Sequence, residues 1–394
     1  MIHRILDPST LNHSFFLFGA RGTGKSTLIK NILKSTVQIP VLLLEINLLK
    51  SQEEKAFLKD PAHLEKLLEP LRDKVGWVFI DEIQKVPALL NTIHDFIENS
   101  SLKFALTGSS TRKLKKEGVN LLAGRAFVYN LFPLTHNELK ERFVLNEILS
   151  FGSLPKLFSL DSFGKKKNYL KAYADTYLRE EIRLEQLVKK LEPFVSFLEI
   201  AAQSNGEIVN FSKVALDCGV DTKTVQTYFQ ILVDTLTGFF LKPYLASVRK
   251  RERHNPKFYF FDLGVKRALE NSLSIPLQVG SPAYGRTFEH FIISEIVRLN
   301  SYAQNDFEIF YWRGEQDAEV DVILKRPQKP LALIEIKSSH EVSSRTIKNL
   351  TRIQADFGGS SEAFIFYNGT QKMQNGKITI FPWQMGFKEL GIHA

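Results

Sequence analysis

The sequence of 394 residues predicts an α/β chain in four consecutive parts, and three observations carry that expectation. Five apolar runs in the front third, FFLFG, IPVLLLEIN, WVFIDE, KFALTG and AFVYNLF, alternate with helical stretches, as strands of a largely parallel sheet do. A glycine loop, GARGTGKS, joins the first of these runs to a helical pattern. Near the C-terminus two more apolar runs, EVDVILK and LALIEIK, carry charged residues where a purely structural strand would use valine. The expected division is a nucleotide-binding α/β domain over 1–140 and a helical connector or lid over 141–200. A helix-turn-helix with a β wing follows over 201–265, and a second α/β domain over 266–394.

Composition sets the outer bounds. Hydrophobic residues make up 44% of the chain and charged ones 24%, the balance of a soluble globular protein long enough for two to four domains. The formal net charge of +9 favours a polyanionic partner without naming one. The single cysteine, Cys218, excludes a disulfide framework or a cysteine zinc site within one chain. The N-terminal stretch lacks a secretory pattern. The most apolar segment, IPVLLLEINLL, is too short to span a bilayer and contains Glu45. These features predict a cytoplasmic chain with no membrane partner.

Gly19, Gly22, Gly24, Lys25 and Ser26 match the phosphate-loop spacing G-x-x-x-x-G-K-S in the strand–loop–helix setting it requires. Glycines let backbone N–H groups close around phosphates, and the helix that follows turns its positive end toward them. Lys25 would reach the β- and γ-phosphates and Ser26 would hold Mg²⁺. The expected ATP-binding set is thus Gly19, Ala20, Arg21, Gly22, Thr23, Gly24, Lys25, Ser26 and Thr27. In GWVFIDEIQKVP an apolar run ends in Asp81, suited to the Mg²⁺ shell, and Glu82, suited to activating the attacking water. An acidic helix cap is the structural alternative. In KFALTGSS, Thr107, Ser109 or Ser110 would contact the γ-phosphate or the water, or serve only the turn. Arg125 precedes the last strand of the domain. It reads either as a surface arginine or as an arginine finger reaching a neighbour's γ-phosphate, which would require a homo-oligomer.

Together, GARGTGKST, FIDEIQKVP, LTGSS and LLAGRAFVYNLFPLTHNEL resemble the AAA-family ATPases of bacteria and archaea whose C-terminal half is a domain of unknown function. The resemblance extends to GSLPKLF at 152–158 and YADTYLREEI at 173–182, and so runs over most of the chain. It implies for Lys25, Ser26, Asp81 and Glu82 the roles already read from their chemistry.

In the middle, NFSKVALDCGVDTKTVQTYFQILVD reads as a helix from Phe211, a turn at Gly219 and a second helix capped by Asp221, with Val225, Tyr228, Phe229 and Leu232 as its apolar stripe. Lys223, Thr224, Gln226 and Thr227 lie on its exposed side, suited to a groove. FFLKPYL and KFYFFDL read as wing strands. Between them Arg249, Lys250, Arg251, Arg253 and His254 form a basic tip of the kind that grips DNA phosphates. Such a module also serves as a protein-docking element, and the basic tip as a merely solvated loop.

At the back, a helix carrying Phe288, Phe291, Ile292 and Ile296 precedes the strands DFEIFYWR, EVDVILK and LALIEIK. This order, with Asp321, Glu335 and Lys337, resembles the PD-(D/E)XK nuclease fold, although Val320 stands where that pattern has proline. The resemblance implies metal-assisted phosphodiester hydrolysis. Asp321 and Glu335 would hold Mg²⁺ or Mn²⁺, Glu289 would add a third oxygen ligand, and Lys337 would hold water or phosphate. Ion pairing of these carboxylates with Lys337 is the structural alternative. The combined expectation is an Mg²⁺-dependent ATPase coupled to DNA binding and processing, with an ATP-driven switch or adaptor as its rival.

Overall fold

The computed structural model describes residues 2–6, 13–35, 42–110, 124–178, 191–245, 255–314, 318–357 and 361–393. Contacts divide the chain into two units. The first comprises Met1–Leu134, Leu154–Lys156 and Gln230–Thr237, and the second Thr135–Ser153, Leu157–Phe229 and Gly238–Ala394.

In the first unit, β1 (Phe15–Phe18), β2 (Leu42–Asn47), β3 (Gly76–Asp81), β4 (Leu102–Gly108) and β5 (Phe127–Asn130) form one sheet. Its order is β2-β3-β4-β1-β5, and every pairing is parallel. Alternation sends Phe15, Leu17, Trp77, Phe79 and Ala105 to one face, and Phe16, Phe18, Val78, Ile80, Phe104 and Leu106 to the other. Because both sets are apolar, both faces need cover, which is why the runs read as continuously hydrophobic. Helix α1 (Lys25–Ser35) covers the first face with Ile29. Helices α2 (Ser51–Lys59), α3 (His63–Leu68) and α4 (Leu89–Asn99) cover the second with Phe57, Leu64, Leu68, Leu89, Ile93 and Phe96. The carboxyl ends of β1, β3 and β4 therefore open into loops at one rim of the sheet, where open α/β sheets place their ligands.

The second unit begins with α5 (His136–Leu139), α6 (Leu145–Phe151), α7 (Phe163–Ala172) and α8 (Leu191–Gln203). Next, α9 (Phe211–Cys218) ends at Gly219 in the left-handed conformation (φ 66°), and α10 (Thr222–Asp234) starts where the Asp221 carboxylate accepts the Thr224 N–H at 2.9 Å. An aromatic cluster of Phe194, Phe197, Phe211, Tyr228 and Phe229 locks α8, α9 and α10 together. Phe240 and Phe258 attach the antiparallel hairpin of β6 (Gly238–Pro243) and β7 (Lys257–Phe260) to it.

After α11 (Leu263–Leu269) and the long α12 (Pro282–Tyr302) come β8 (Glu308–Arg313), β9 (Glu319–Lys325), β10 (Leu331–Lys337), α13 (Ser344–Asp356), β11 (Ser361–Tyr367), β12 (Met373–Asn375), β13 (Ile378–Pro382) and α14 (Trp383–Glu389). Strands β8, β9 and β10 are antiparallel neighbours, and α13 carries the chain over to β11, parallel to β10. Lys242 and Pro243 of β6 pair with Phe310 and Tyr311 of β8, so the hairpin and the C-terminal strands make one eight-stranded sheet. Among the described residues, no helix is long and apolar enough to cross a membrane.

Candidate functional site

The glycine loop leaves β1 at Gly19, whose N–H donates to Gly108 O at 3.3 Å. A Cβ on Gly19 would lie 2.4 Å from Leu131 O, so only glycine fits there. Gly22 and Gly24 take positive φ (81° and 95°), the second opposite the ring of Pro155. Lys25 is buried and donates to Gly19 O at 2.7 Å and Ala20 O at 3.4 Å, curling the loop around its own ammonium. The Thr23 hydroxyl donates to Ala20 O at 2.8 Å, while Arg21, Gly22 and Thr27 are exposed. A residue the motif does not announce also braces the loop: buried Arg4 donates to Thr23 O at 3.0 Å and to Phe132 O at 2.6 Å.

Asp81 organises the floor. Its carboxylate accepts the Ser26 hydroxyl at 2.8 Å on each oxygen and the Thr107 hydroxyl at 2.5 Å. Thus Thr107, one of the three hydroxyls at the end of β4, is joined to Asp81. Glu82, next in the chain, takes a left-handed backbone (φ 61°, ψ 49°), and its N–H donates to Thr107 Oγ1 at 3.2 Å. Its carboxylate accepts Gln84 Nε2 at 2.5 Å, and the same amide donates to Ser109 Oγ at 3.1 Å. Gln84 is buried, and among the described residues its Oε1 has no hydrogen-bond partner. The hydroxyl–carboxylate pair at the mouth of a nitrogen-lined loop fits a hard divalent ion and a phosphate chain. Arg125, exposed before edge strand β5, pairs with Glu98 of α4, its Nε donating at 2.6 Å.

In the second unit, the paired register of β9 and β10 ends with Ile334 against Val322, next to Glu335 and Asp321. Asp321 Oδ2 accepts the Ile336 N–H at 2.7 Å, and Lys337 donates to Glu335 at 2.5 Å. Glu289 of α12 accepts the Tyr259 hydroxyl at 2.9 Å and lies 3.6 Å from the ammonium of Lys257, which pairs with Glu319 at 2.5 Å. Burial, reinforced by Asp321, pushes the carboxyls of Glu289 and Glu335 above their ordinary range. Burial disfavours the Lys257 charge, but Glu289, Glu319 and Asp321 outweigh it and hold the ammonium charged.

The expected metal cradle of Glu289, Asp321 and Glu335 therefore does not form: among the described residues no three such side chains are arranged to hold a metal ion. Each carboxylate already has a donor from the chain. Sequence reasoning missed Lys257 and Tyr259, because a lysine opening an apolar run reads as an ordinary strand end.

On α10, Val225, Tyr228, Phe229 and Leu232 are buried, while Lys223, Gln226 and Thr227 are exposed. Arg249, Lys250, Arg251, Arg253 and His254 lie outside the described residues.

Comparison with known proteins bears on the first unit most directly. A family model described as an AAA domain matches residues 12–140. Two models each described as a domain of unknown function, DUF8612 and DUF4143, match residues 142–276 and 284–385. An uncharacterized protein of Mycobacterium tuberculosis is 25% identical over 344 residues, which are 84% of this chain and 72% of that protein. One of Methanocaldococcus jannaschii is 23% identical over 295 residues, 69% of this chain and 63% of that protein. Among solved structures, the Aeropyrum pernix ORC1 protein in complex with DNA is 12% identical with a TM-score of 0.33, over 68% of this chain and 89% of that one. AMPPCP-bound DnaA from Aquifex aeolicus is 15% identical with a TM-score of 0.28, over 57% and 83%. Residues 12–140 thus match an AAA domain, and their described strands form a parallel five-stranded sheet.

Proposed function

We propose that this chain hydrolyses ATP in an Mg²⁺-dependent reaction and couples turnover to DNA binding by its second unit. One observation supports the first half above all: Ser26, Asp81 and Thr107 meet in hydrogen bonds beside the glycine loop, at the carboxyl ends of adjacent strands. The loop N–H groups and Lys25 bind the phosphates, and Ser26 and Asp81 hold Mg²⁺, which supplies charge neutralisation on the transferring group when bound. Glu82 accepts the proton of the attacking water. Its left-handed backbone turns the carboxylate away from the strand, and Gln84 fixes its direction. Arg125, at the exposed rim, is the residue that would complete a neighbouring copy's site in a homo-oligomer.

The DNA half rests on the net charge of +9, the helix–turn–helix and hairpin of α9, α10, β6 and β7, and the basic stretch at 249–254. The order α12-β8-β9-β10-α13-β11 supports a PD-(D/E)XK-like fold for the C-terminal part. Its carboxylates accept hydrogen bonds from Tyr259, Lys337 and the Ile336 N–H, and in this reading the module holds DNA. The four-part division over 1–140, 141–200, 201–265 and 266–394 remains the working description of these roles.

Fluorescence anisotropy with labelled duplex DNA tests the coupling. Binding should weaken with salt, and changing Arg249, Lys250, Arg251 and Arg253 together to Glu should abolish it and flatten the salt slope. An unaffected DNA affinity in that variant refutes the wing assignment. No DNA binding by the wild-type protein favours the rival ATP-driven adaptor.

A further inference from the structure

A cavity of about 280 Å³ lies in the second unit, lined chiefly by α11, by α12 and by the loop between them. Leu263, Lys266 and Arg267 recur on one face of α11, and Arg286, Thr287 and His290 on one face of α12, the spacing that points a helical stripe in one direction. Lys266 pairs with Glu270 at 2.6 Å, their side chains 19% and 17% exposed. Arg267 is buried, and its guanidinium donates to Ser150 O at 3.1 Å, to Ser272 O at 2.7 Å and to Ile275 O. Those bonds fix the shape of the loop from within the chain. Arg286 is exposed, and His290 is held neutral by burial, its Nδ1 accepting from Asn205.

The charges of this lining do not balance. Lys266, Arg267 and Arg286 stand against a single carboxylate, Glu270, which leaves an excess of two positive charges. Burial above all, with Arg267 and Arg286 adding to it, holds the Lys266 pKa below its ordinary value although Glu270 pulls the other way. A cleft dominated by one sign of charge concentrates counter-ions. Beside the cations the cavity has an apolar wall that includes Leu277 and Ile275, the latter left 64% exposed. We propose that this cavity binds a small organic phosphomonoester, its head on Lys266 and Arg286 and its body against Ile275 and Leu277. The inference goes beyond ATP hydrolysis and DNA binding and uses none of the residues assigned to them. A phosphomonoester carries about −1.5 to −2 charges at pH 7, which matches the excess, whereas a carboxylate leaves one cation unmatched. The planar fork of an arginine suits phosphate oxygens, and a lysine adds a point charge. Arg267, engaged by backbone carbonyls, contributes through its field and through the loop that it fixes. A cavity of this size stands at the small end of ligand sites, with room for one phosphorylated ring and none for a duplex.

The test is isothermal titration calorimetry with phenyl phosphate on the full-length protein, and with inorganic phosphate as the head alone. Each titration is repeated in Lys25→Ala, which disables the phosphate loop. Phenyl phosphate should bind equally well in both proteins, and at least about tenfold more tightly than inorganic phosphate through burial of its ring. Arg286→Ala and Lys266→Met should each weaken it about 10- to 100-fold, the scale of one hydrogen bond to a charged group. Glu270→Gln removes the anion that now engages Lys266 and should tighten binding, a gain that a merely structural ion pair does not give. Ile275→Ser should weaken phenyl phosphate and leave inorganic phosphate unchanged. Circular dichroism reports the fold of each variant, and Arg286→Ala, at an exposed position, decides the matter should Lys266→Met not fold. No binding of phenyl phosphate by the wild type overturns the inference. So does binding that is unchanged in folded Arg286→Ala, or binding that Lys25→Ala abolishes.

Discussion

Replacing Gln84 by alanine removes the only side-chain donor described for the Glu82 carboxylate while leaving the phosphate loop untouched. The contact is a hydrogen bond of 2.5 Å from an amide to a charged acceptor, buttressed by the 3.1 Å bond to Ser109. Hydrogen bonds to charged groups contribute about 1.5–3 kcal/mol. Glu82 also sits in a left-handed conformation that a non-glycine residue adopts at a cost of about 1–2 kcal/mol, so its carboxylate depends on this partner for direction. If the whole contact serves the transition state, kcat falls about 10- to 100-fold, at roughly 1.4 kcal/mol per tenfold. The KM for ATP stays near the wild-type value, because Gln84 lies beneath the base rather than against the phosphates. Gly108→Ala should act in the same direction: its Cβ would lie 2.7 Å from Gln84 Oε1 and 3.0 Å from the Phe18 ring, displacing the amide. The assay is steady-state ATP hydrolysis in a double-mutant cycle with Glu82→Gln. Non-additivity is expected, Gln84→Ala costing little once the base is gone. Wild-type kcat in Gln84→Ala, or full additivity in the cycle, refutes the reasoning.

Three further outcomes follow from the geometry. Gly264→Ala in α11 places a Cβ 1.9 Å from Phe151 O, a backbone atom that cannot yield; a loss of about 3 kcal/mol, seen as a melting temperature about 5–10 °C lower, is expected. His290 is held neutral down to about pH 3, chiefly by burial, with the Lys266 and Arg298 charges adding to it, while its Nε2–H donates to Phe260 O and its Nδ1 accepts from Asn205. Its folded pKa lies below the unfolded one, so its share of stability is complete above about pH 6.5 and lost as the pH falls, reaching about 3 kcal/mol by about pH 4.5. Urea unfolding at pH 7 and 4.5 should therefore show a smaller loss in His290→Gln than in the wild type, and equal losses would contradict this. Arg125→Ala should lower the ATPase rate, and wild-type specific activity should rise with protein concentration; a flat concentration dependence argues against a finger supplied in trans.

The glycine loop and the acidic pair Asp81 and Glu82 were legible in the sequence because their signal is local. A phosphate loop needs its glycines, lysine and hydroxyl within eight residues, and Asp81 ends an apolar strand with Glu82 next in the chain. Arg4 and Gln84 were not legible, since a lone arginine near the start and a glutamine after an acidic pair carry no periodicity. The pairing of β6 with β8 joins residues near 242 to residues near 310, and no turn signal reports a parallel contact over that separation. The carboxylate cluster was half legible. Asp321, Glu335 and Lys337 stood out by alternation, but Lys257, which pairs with Glu319 two residues before Asp321, comes from another strand entirely.

The most direct test of the central claim is steady-state ATP hydrolysis by the wild type and Lys25→Ala, each with Mg²⁺ and with or without duplex DNA. Mg²⁺-dependent hydrolysis that DNA accelerates, and that Lys25→Ala abolishes, is the predicted result. Hydrolysis indifferent to DNA, or surviving in Lys25→Ala, would contradict it.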